Sequence, residues 1–347
     1  MDLTETLGVD TVETADQTAV ELLGERMSLT VVTRAGRAST REALVADVRR
    51  GLGAPRKWMP PRWFYDDRGC ELFEQITELP EYYQTRTEAA ILAAAASPIA
   101  ASAQASSLVE LGAGSCTKTR ILLTAMVAGG MTRFVPVDVS EAALAAAARG
   151  LTREFPTLHV HGVVADFHQA LALLPRDERR CIAFLGSTIG NLLPHERVGV
   201  LAAARARLGA GGSFLLGVDL VKPAAELHAA YNDSRGVTAA FNRNLLGVLN
   251  RELGAGFDEE SFEHDAPYDP VLERIEMHLR SARDQWVDIP GARMRVHFAA
   301  GETVLTEISA KFTRARVEAE MGAAGLAVAD WFTDERERFA LCLARPV

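Results

Sequence analysis

The chain has 347 residues, 48% of them hydrophobic, and a formal net charge of -9. That is apolar material for one large core or two smaller ones. The acidic balance argues against a nucleic-acid partner, which needs a concentrated basic face.

Residues 1–35 are polar, acidic and without pattern, and read as a mobile tail. The start, MDLTETLGVDTVETADQ, has neither the basic residues nor the apolar run of a secretory signal. TREALVADVRRGL (40–52) has helical spacing, with Ser39 or Thr40 as its expected N-cap. APRKWMPPRWFYDDRG is rich in proline and aromatics and reads as an ordered loop. CELFEQITEL and then the Ala-, Ile- and Leu-rich stretch after PEYYQTR are helix formers. From Ser107 strands and helices alternate: SLVELGAG, TKTRILLTAMVAG, RFVPVDVS, EAALAAAARGLTREF, LHVHGVVADF, CIAFLGSTIGN, ERVGVLAAARARLG and SFLLGVDLVK. Such alternation predicts a parallel sheet wound with helices on both faces. It stops at Pro223. HAAYNDSRGVTAAFNRNLLGVLNREL is helical, and RIEMHLRSARDQWVDI, MRVHFAAG and TVLTEISAKF read as antiparallel strands. A helix, TRARVEAEMGAAG, and a strand hairpin, VADWFTDERERFALCLARP, close the chain.

An α+β insert therefore interrupts an α/β sheet. The expected division is a core of residues 87–221 and 313–347, and a second domain of residues 36–86 and 222–312. Cys70, Cys116, Cys181 and Cys342 form no CxxC pair and none has a His at ligand spacing, so no metal site is expected. No stretch approaches the ~20 apolar residues of a membrane span. A cytoplasmic protein without membrane partners is the expectation.

Ligands of an open parallel sheet sit outside the C-terminal ends of its strands. The first such end is Glu110-Leu111-Gly112-Ala113-Gly114, where glycines admit close backbone approach beside a helix N-terminus. The second is Asp138, a carboxylate able to accept both hydroxyls of a ribose. The third is Asp166-Phe167, an acceptor for an adenine amino group and a ring to cover its face. The fourth is the glycine-spaced loop Gly186-Ser187-Thr188-Ile189-Gly190-Asn191. Three devices compete for this pattern. A dinucleotide turn G-x-G-x-x-G would need glycine where Thr117 stands, and so would a phosphate loop G-x-x-x-x-G-K-[ST] ending at Lys118 and Thr119. The third, the E-x-G-x-G turn of S-adenosylmethionine-dependent methyltransferases followed by acidic strand ends, has all its elements in order.

LPEYYQTR (79–86), FLGSTIGN (184–191), DLVK (219–222), GVTAAFNRN (236–244), RIEM (274–277) and LTEISAKF (305–312) resemble the L-histidine Nα-methyltransferases of ergothioneine biosynthesis. The resemblance runs from about residue 40 to the C-terminus and leaves the tail unmatched. It implies a class I, Rossmann-like methyltransferase sheet with an inserted substrate-binding domain, a monomer, and transfer of three methyl groups from S-adenosyl-L-methionine to the α-nitrogen of L-histidine, giving hercynine. It implies cofactor contacts at Gly112, Lys118, Asp138, Asp166 and Phe167. Histidine contacts would fall on Tyr82, Gly186, Asn191, Tyr231, Met277, Glu307, Ile308 and Ser309, with the amine positioned by Tyr65, Gly186 and Asn191. Cys116 departs from the motif in a way that the sequence does not explain.

These residue types suit the chemistry. The methyl donor is already activated on a sulfonium, so the protein needs to align a neutral amine rather than supply a metal or a dedicated base. The Asn191 amide and the Tyr231 hydroxyl suit a carboxylate. Glu307 and Ser309 are two apart on one strand, point to one face, and suit an imidazole. A methyltransferase of another amino acid or small amine, and a non-catalytic sensor of cofactor or histidine, are the alternatives.

Overall fold

The computed structural model describes residues 18–32 and 36–347; residues 1–17 and 33–35, part of the expected tail, lie outside the described residues. In chain order the strands are β1 (Thr18–Gly24), β2 (Met27–Val32), β3 (Lys57–Trp58), β4 (Ser107–Leu111), β5 (Arg133–Asp138), β6 (His159–Val164), β7 (Arg180–Phe184), β8 (Ser213–Asp219), β9 (Phe262–Asp265), β10 (Tyr268–Asp269), β11 (Arg274–Ser281), β12 (Gln285–Ile289), β13 (Met294–Phe298), β14 (Thr303–Ala310), β15 (Leu326–Thr333) and β16 (Phe339–Pro346). They fall in two compact units. One holds the hairpin β1–β2 with residues 87–220 and 312–347, the other residues 36–86 and 221–311.

The first unit is built on a nine-stranded sheet in the order β1-β2-β6-β5-β4-β7-β8-β16-β15. Neighbours from β2 to β8 are parallel, whereas β16 runs antiparallel to β8 and β15 antiparallel to β16. Every residue of β4, β7 and β8 is buried. That is why SLVEL, RCIAF and SFLLGVD are near-continuous apolar runs: central parallel strands are covered on both faces. The chain steps from β4 through β5 to β6 in one direction, then places β7 and β8 in the other. The reversal opens a crevice at the C-terminal ends of β4 and β7, where sheets of this kind bind ligands.

Residues 18–32 correct the mobile-tail expectation. They form a hairpin, and β2 adds in parallel to β6 with Met27 opposite Val160 and Val31 opposite Val164. Leu29 is 1% exposed, and the Ser28 and Thr30 hydroxyls bond the two ring nitrogens of His161 at 2.6 and 2.9 Å. An isolated hairpin is marginal in water, so this one depends on an edge that local sequence does not reveal. The helix expected from residue 40 runs Gly36–Leu52, so neither Ser39 nor Thr40 starts it. Nothing in Arg-Ala-Ser-Thr breaks a helix, and the turn extends back to Gly36.

The second unit has an antiparallel sheet, β10-β11-β14, with β3 parallel at the far edge of β14 and β9 on β11. β12 and β13 form a separate hairpin. Along β11 the residues Ile275, Met277 and Leu279 are buried while Glu276, His278 and Arg280 are not, the alternation of a sheet covered on one face. The covering helix, Val237–Leu253, buries Phe241, Leu245, Leu246 and Leu249. The stretch read as one helical run is broken after the helix Ala224–Tyr231. There Asp233 accepts from the N–H groups of Arg235, Val237 and Thr238, and Gly236 adopts φ 71°. A carboxylate that takes three backbone donors at a helix start stabilises that start over a continuous helix. Among the described residues no helix is long and apolar enough to cross a membrane, and no group of side chains could hold a metal ion.

Candidate functional site

In the first unit the turn after β4 is set by backbone geometry. Gly112 and Gly114 have φ of 71° and 51°, and a Cβ added to either would meet nothing within 4 Å. The glycines are therefore needed for left-handed backbone, and they leave open space above the turn. The N–H groups of Gly112 and Ala113 both donate to Val137 O, at 2.9 and 3.0 Å. Gly114 N–H donates to Asp138 Oδ2 at 2.9 Å, and Ser140 N–H to Asp138 Oδ1 at 3.0 Å. Asp138 is thus aimed by two backbone donors, and each carboxylate oxygen keeps a second lone pair for a diol. Asp166 caps the helix Phe167–Leu173 through Gln169 N–H at 2.9 Å, which engages one oxygen of two. The half-buried Phe167 ring stands 5.4 Å from the Phe184 ring. Open left-handed glycines, a diol acceptor, a second acceptor and an aromatic face fit an adenosyl group.

Two neighbours of the turn turn out to be structural. Glu110 is buried, and Thr119 Oγ1 lies 2.7 and 2.6 Å from its two oxygens. Burial pushes its carboxyl up to about 8, against the opposing pull of Thr119 and Lys118. Glu110 therefore ties β4 to the helix Thr119–Ala128. Cys116, the departure from the motif, is buried with φ 55°, and burial pushes its thiol far above the usual range. It is an unreactive filler beneath the turn.

The loop after β7 is held by a residue that sequence reasoning missed. Glu88, 0% exposed, accepts from Gly186 N–H at 2.8 Å and forms an ion pair with Lys118. One buried carboxylate thus braces the lysine of the first strand end and the glycine of the fourth. The brace leaves Gly186 its carbonyl, not its N–H, for any ligand amine. Gly217 makes room, since a Cβ there would come 2.2 Å from Glu88 Oε1. Gly186 and Ser187 both have positive φ, and the Ser187 hydroxyl accepts from Asp219 N–H at 2.9 Å. The segment Thr188–Asn191 then makes one 3-10 turn that carries Asn191.

In the second unit the decisive feature is a β-bulge. Met277 pairs with Glu307 but His278 pairs with Leu305, so Thr306 is an extra residue. Before it Val304 faces with Leu279; after it Glu307 faces with Met277 and Ser309 with Ile275. An unbroken alternation from Val304 would put Thr306 and Ile308 on the face of Leu279 and turn Glu307 and Ser309 to the other face. The bulge is pinned: the Thr306 hydroxyl lies 2.7 Å from Asn242 Oδ1 and 3.0 Å from Met277 O, and Asn242 Nδ2 donates to His278 O at 2.9 Å. Ile308 falls on the face of Glu276, away from Glu307 and Ser309, so its side chain is not brought together with theirs.

The face so formed is polar and charged. Tyr231 Oη and Ser309 Oγ are 2.7 Å apart, and Lys311 Nζ donates to both, at 2.9 and 2.8 Å. Burial pushes Glu307 up to about 7, and Lys311 pulls it back. Tyr65 and Tyr82 pack against the apolar cluster that contains Tyr231 and Met277, with Phe73 5.8 Å from the Tyr65 ring and 6.5 Å from the Tyr82 ring. The structure so gathers Tyr231, Met277, Glu307 and Ser309, with Tyr65 and Tyr82 on the same cluster. In the first unit it gathers Gly112 with Asp138, and Lys118 with Gly186. Lys311 and Glu88 were not singled out. The parity that joins Glu307 to Ser309 extends to Lys311 and could have found it. Glu88, a lone acid on an alanine-rich helix, reads as solvent-facing and gave no signal.

Comparison with known proteins agrees with this chemistry. The profile of the family described as "Histidine-specific methyltransferase, SAM-dependent" matches residues 44–346. The chain is 48% identical to a histidine N-alpha-methyltransferase of Mycolicibacterium smegmatis, over 92% of this chain and 99% of that protein. Identity is also 48%, with the same coverage, to the histidine N-alpha-methyltransferase of Mycobacterium tuberculosis. It is 29% to the ergothioneine biosynthesis protein 1 of Schizosaccharomyces pombe, over 73% of this chain and 34% of that protein.

Proposed function

We propose that this chain, which belongs to the family of histidine-specific, S-adenosylmethionine-dependent methyltransferases, methylates the α-nitrogen of L-histidine three times to give hercynine. The chain is an S-adenosylmethionine-dependent methyltransferase. Its bound cofactor supplies a methyl group already activated on a sulfonium. The observation that carries the choice of histidine is the buried face bearing Glu307 and Ser309: a carboxylate and a hydroxyl two residues apart match the two nitrogens of an imidazole.

The residues have separate tasks. Asp138 accepts ribose hydroxyls, Asp166 and Phe167 take the adenine, and Lys118, braced by Glu88, supplies the cation of the cofactor site. Asn191 and Tyr231 donate to the substrate carboxylate. The α-amine must be neutral to attack, and burial disfavours its ammonium form. A neighbouring positive charge disfavours it further. The Gly186 carbonyl accepts from the amine and, with Tyr65 and Asn191, orients its lone pair; no dedicated base is required. Tyr82 and Met277 bound the space around the ring. The relatives named for ergothioneine biosynthesis support a place for hercynine as product.

Incubation with S-adenosylmethionine and each of a panel of amino acids, followed by mass spectrometry, tests the reading. Mono-, di- and trimethylhistidine are expected in succession from L-histidine alone. Their absence, or preferred methylation of another amine, would sink it.

A further inference from the structure

Asn242, in the segment GVTAAFNRN, is 0% exposed and lies on the helix Val237–Leu253. Its amide bonds three strands at once. Oδ1 lies 2.7 Å from the Thr306 hydroxyl on β14, and Nδ2 lies 2.9 Å from His278 O on β11 and 2.9 Å from His264 Nδ1 on β9. The opposite ring nitrogen, His264 Nε2, lies 2.8 Å from Tyr231 O, the last carbonyl of the helix Ala224–Tyr231. The two ends of this chain of bonds are two places in the acceptor site. One is the bulge that turns Glu307 and Ser309 to one face. The other is the residue that carries the Tyr231 hydroxyl.

The protons admit one arrangement. His278 O and Tyr231 O can only accept. The first sets the amide with its nitrogen toward β11, so both Nδ2 protons are committed, to His278 O and to His264 Nδ1. His264 Nδ1 is therefore bare, and Nε2 carries the proton that Tyr231 O receives. The Thr306 hydroxyl donates to Oδ1, the nearer of its two acceptors. An imidazolium would set an Nδ1–H against the amide N–H. Burial lowers the His264 pKa and Arg243 acts in the same sense, against the Tyr231 carbonyl, Asp265 and Asp233.

The corner after Tyr231 does not depend on His264 to fold. Asn232 Nδ2 donates to Ala266 O at 3.0 Å, and Ala266 N–H donates back to Asn232 Oδ1 at 3.2 Å. His264 adds a link from that corner, through Asn242, to the bulge. We propose that Asn242 is a positioning residue that, through the Nε2–H tautomer of His264, holds Tyr231 in register with the bulge bearing Glu307 and Ser309. It thereby sets the spacing between the group that meets the substrate carboxylate and the groups that meet its ring. The proposal rests on the reading of L-histidine as substrate, with its carboxylate on Tyr231.

The test uses the full chain, labelled with nitrogen-15 in its histidine rings, with S-adenosylhomocysteine bound. The His264 signals are those lost in His264→Gln. A protonated Nε2 and a bare Nδ1 are expected from the wild type. Asn242→Asp keeps the shape but has no N–H for either acceptor. It should move a proton onto His264 Nδ1 and raise the KM for L-histidine roughly tenfold, with kcat within about twofold and cofactor affinity unchanged. At position 264 glutamine offers one acceptor and one donor and should keep the KM within about threefold, whereas leucine offers neither and should raise it about tenfold. A protonated Nδ1 in the wild type would overturn the proposal, as would equal KM values for His264→Gln and His264→Leu. Loss of kcat and melting temperature in Asn242→Asp with an unaltered KM would reduce the pair to core packing and overturn it too. The two His264 variants decide if Asn242→Asp does not fold. Methylation of another amine in preference to L-histidine would overturn the substrate reading and leave the His264 tautomer as found; an unaltered KM for methylated L-histidine would overturn this inference only.

Discussion

Replacing Glu307 with glutamine removes one charge and almost no volume. A hydrogen bond to a charged group contributes ~1.5–3 kcal/mol, against ~0.5–1.5 kcal/mol for a neutral pair. The difference, about 1–2 kcal/mol, corresponds to a roughly 5- to 30-fold weaker Kd for L-histidine. The structure adds a pH dependence. Burial holds the Glu307 carboxyl at about 7, so it is mainly ionised at pH 8 and mainly protonated at pH 6. Protonation removes the charge that glutamine lacks. The ratio of variant to wild-type Kd should therefore be largest at pH 8 and approach one at pH 6. The free histidine ring titrates in the same range but affects both proteins alike, so the ratio isolates Glu307. Calorimetry with L-histidine in the presence of S-adenosylhomocysteine, at both pH values, measures it. Equal affinities at pH 8 would refute the role of the carboxylate. An equal loss of cofactor affinity would refute the assignment of Glu307 to the acceptor alone.

Glu88→Gln keeps an acceptor for Gly186 N–H but breaks the ion pair with Lys118; cofactor affinity should fall by about tenfold, the effect of ~1.4 kcal/mol, and Glu88→Ala should be worse and also less stable by thermal melt. Equal behaviour of the two variants would argue against the brace. Thr306→Val preserves shape and leaves the buried Asn242 Oδ1 without its hydroxyl, which should cost ~1–3 kcal/mol in chemical denaturation and raise the KM for histidine while leaving cofactor affinity intact. An unchanged KM would show that the bulge does not depend on this bond. Glu110 is held at about 8 when folded and ionises near 4.3 when unfolded, so the folded state binds the extra proton between those values and stability falls as pH rises through them. Glu110→Gln should flatten the decline of melting temperature between pH 5 and pH 8; an unaltered slope would contradict the assignment.

The α/β core was legible because its signals are local. Apolar runs such as RCIAF and SFLLGVD end in glycine or acid, and the order of those ends identifies the ligand side of the sheet. Asp138 and the Gly112–Gly114 turn follow from that order alone. The hairpin at residues 18–32 was not legible, since its stability comes from the edge of β6, more than a hundred residues later. Glu88 was hidden for the same reason: its partners, Lys118 and Gly186, are distant in sequence. Parity carried Glu307 and Ser309 to one face but could not say which. A single extra residue, Thr306, makes that choice, and a bulge leaves no mark in an alternating pattern. Ile308, implied by family resemblance, lies on the opposite face for this reason. In Cys116 the structure supplies what sequence lacked, a buried left-handed position whose thiol packs and does not react.

A crystal structure of the full chain with L-histidine and S-adenosylhomocysteine tests the central claim most directly. The account predicts one imidazole nitrogen within hydrogen-bond distance of the Glu307 carboxylate and the other within reach of the Ser309 hydroxyl. An imidazole bound away from this face, with Glu307 and Ser309 untouched, would contradict it.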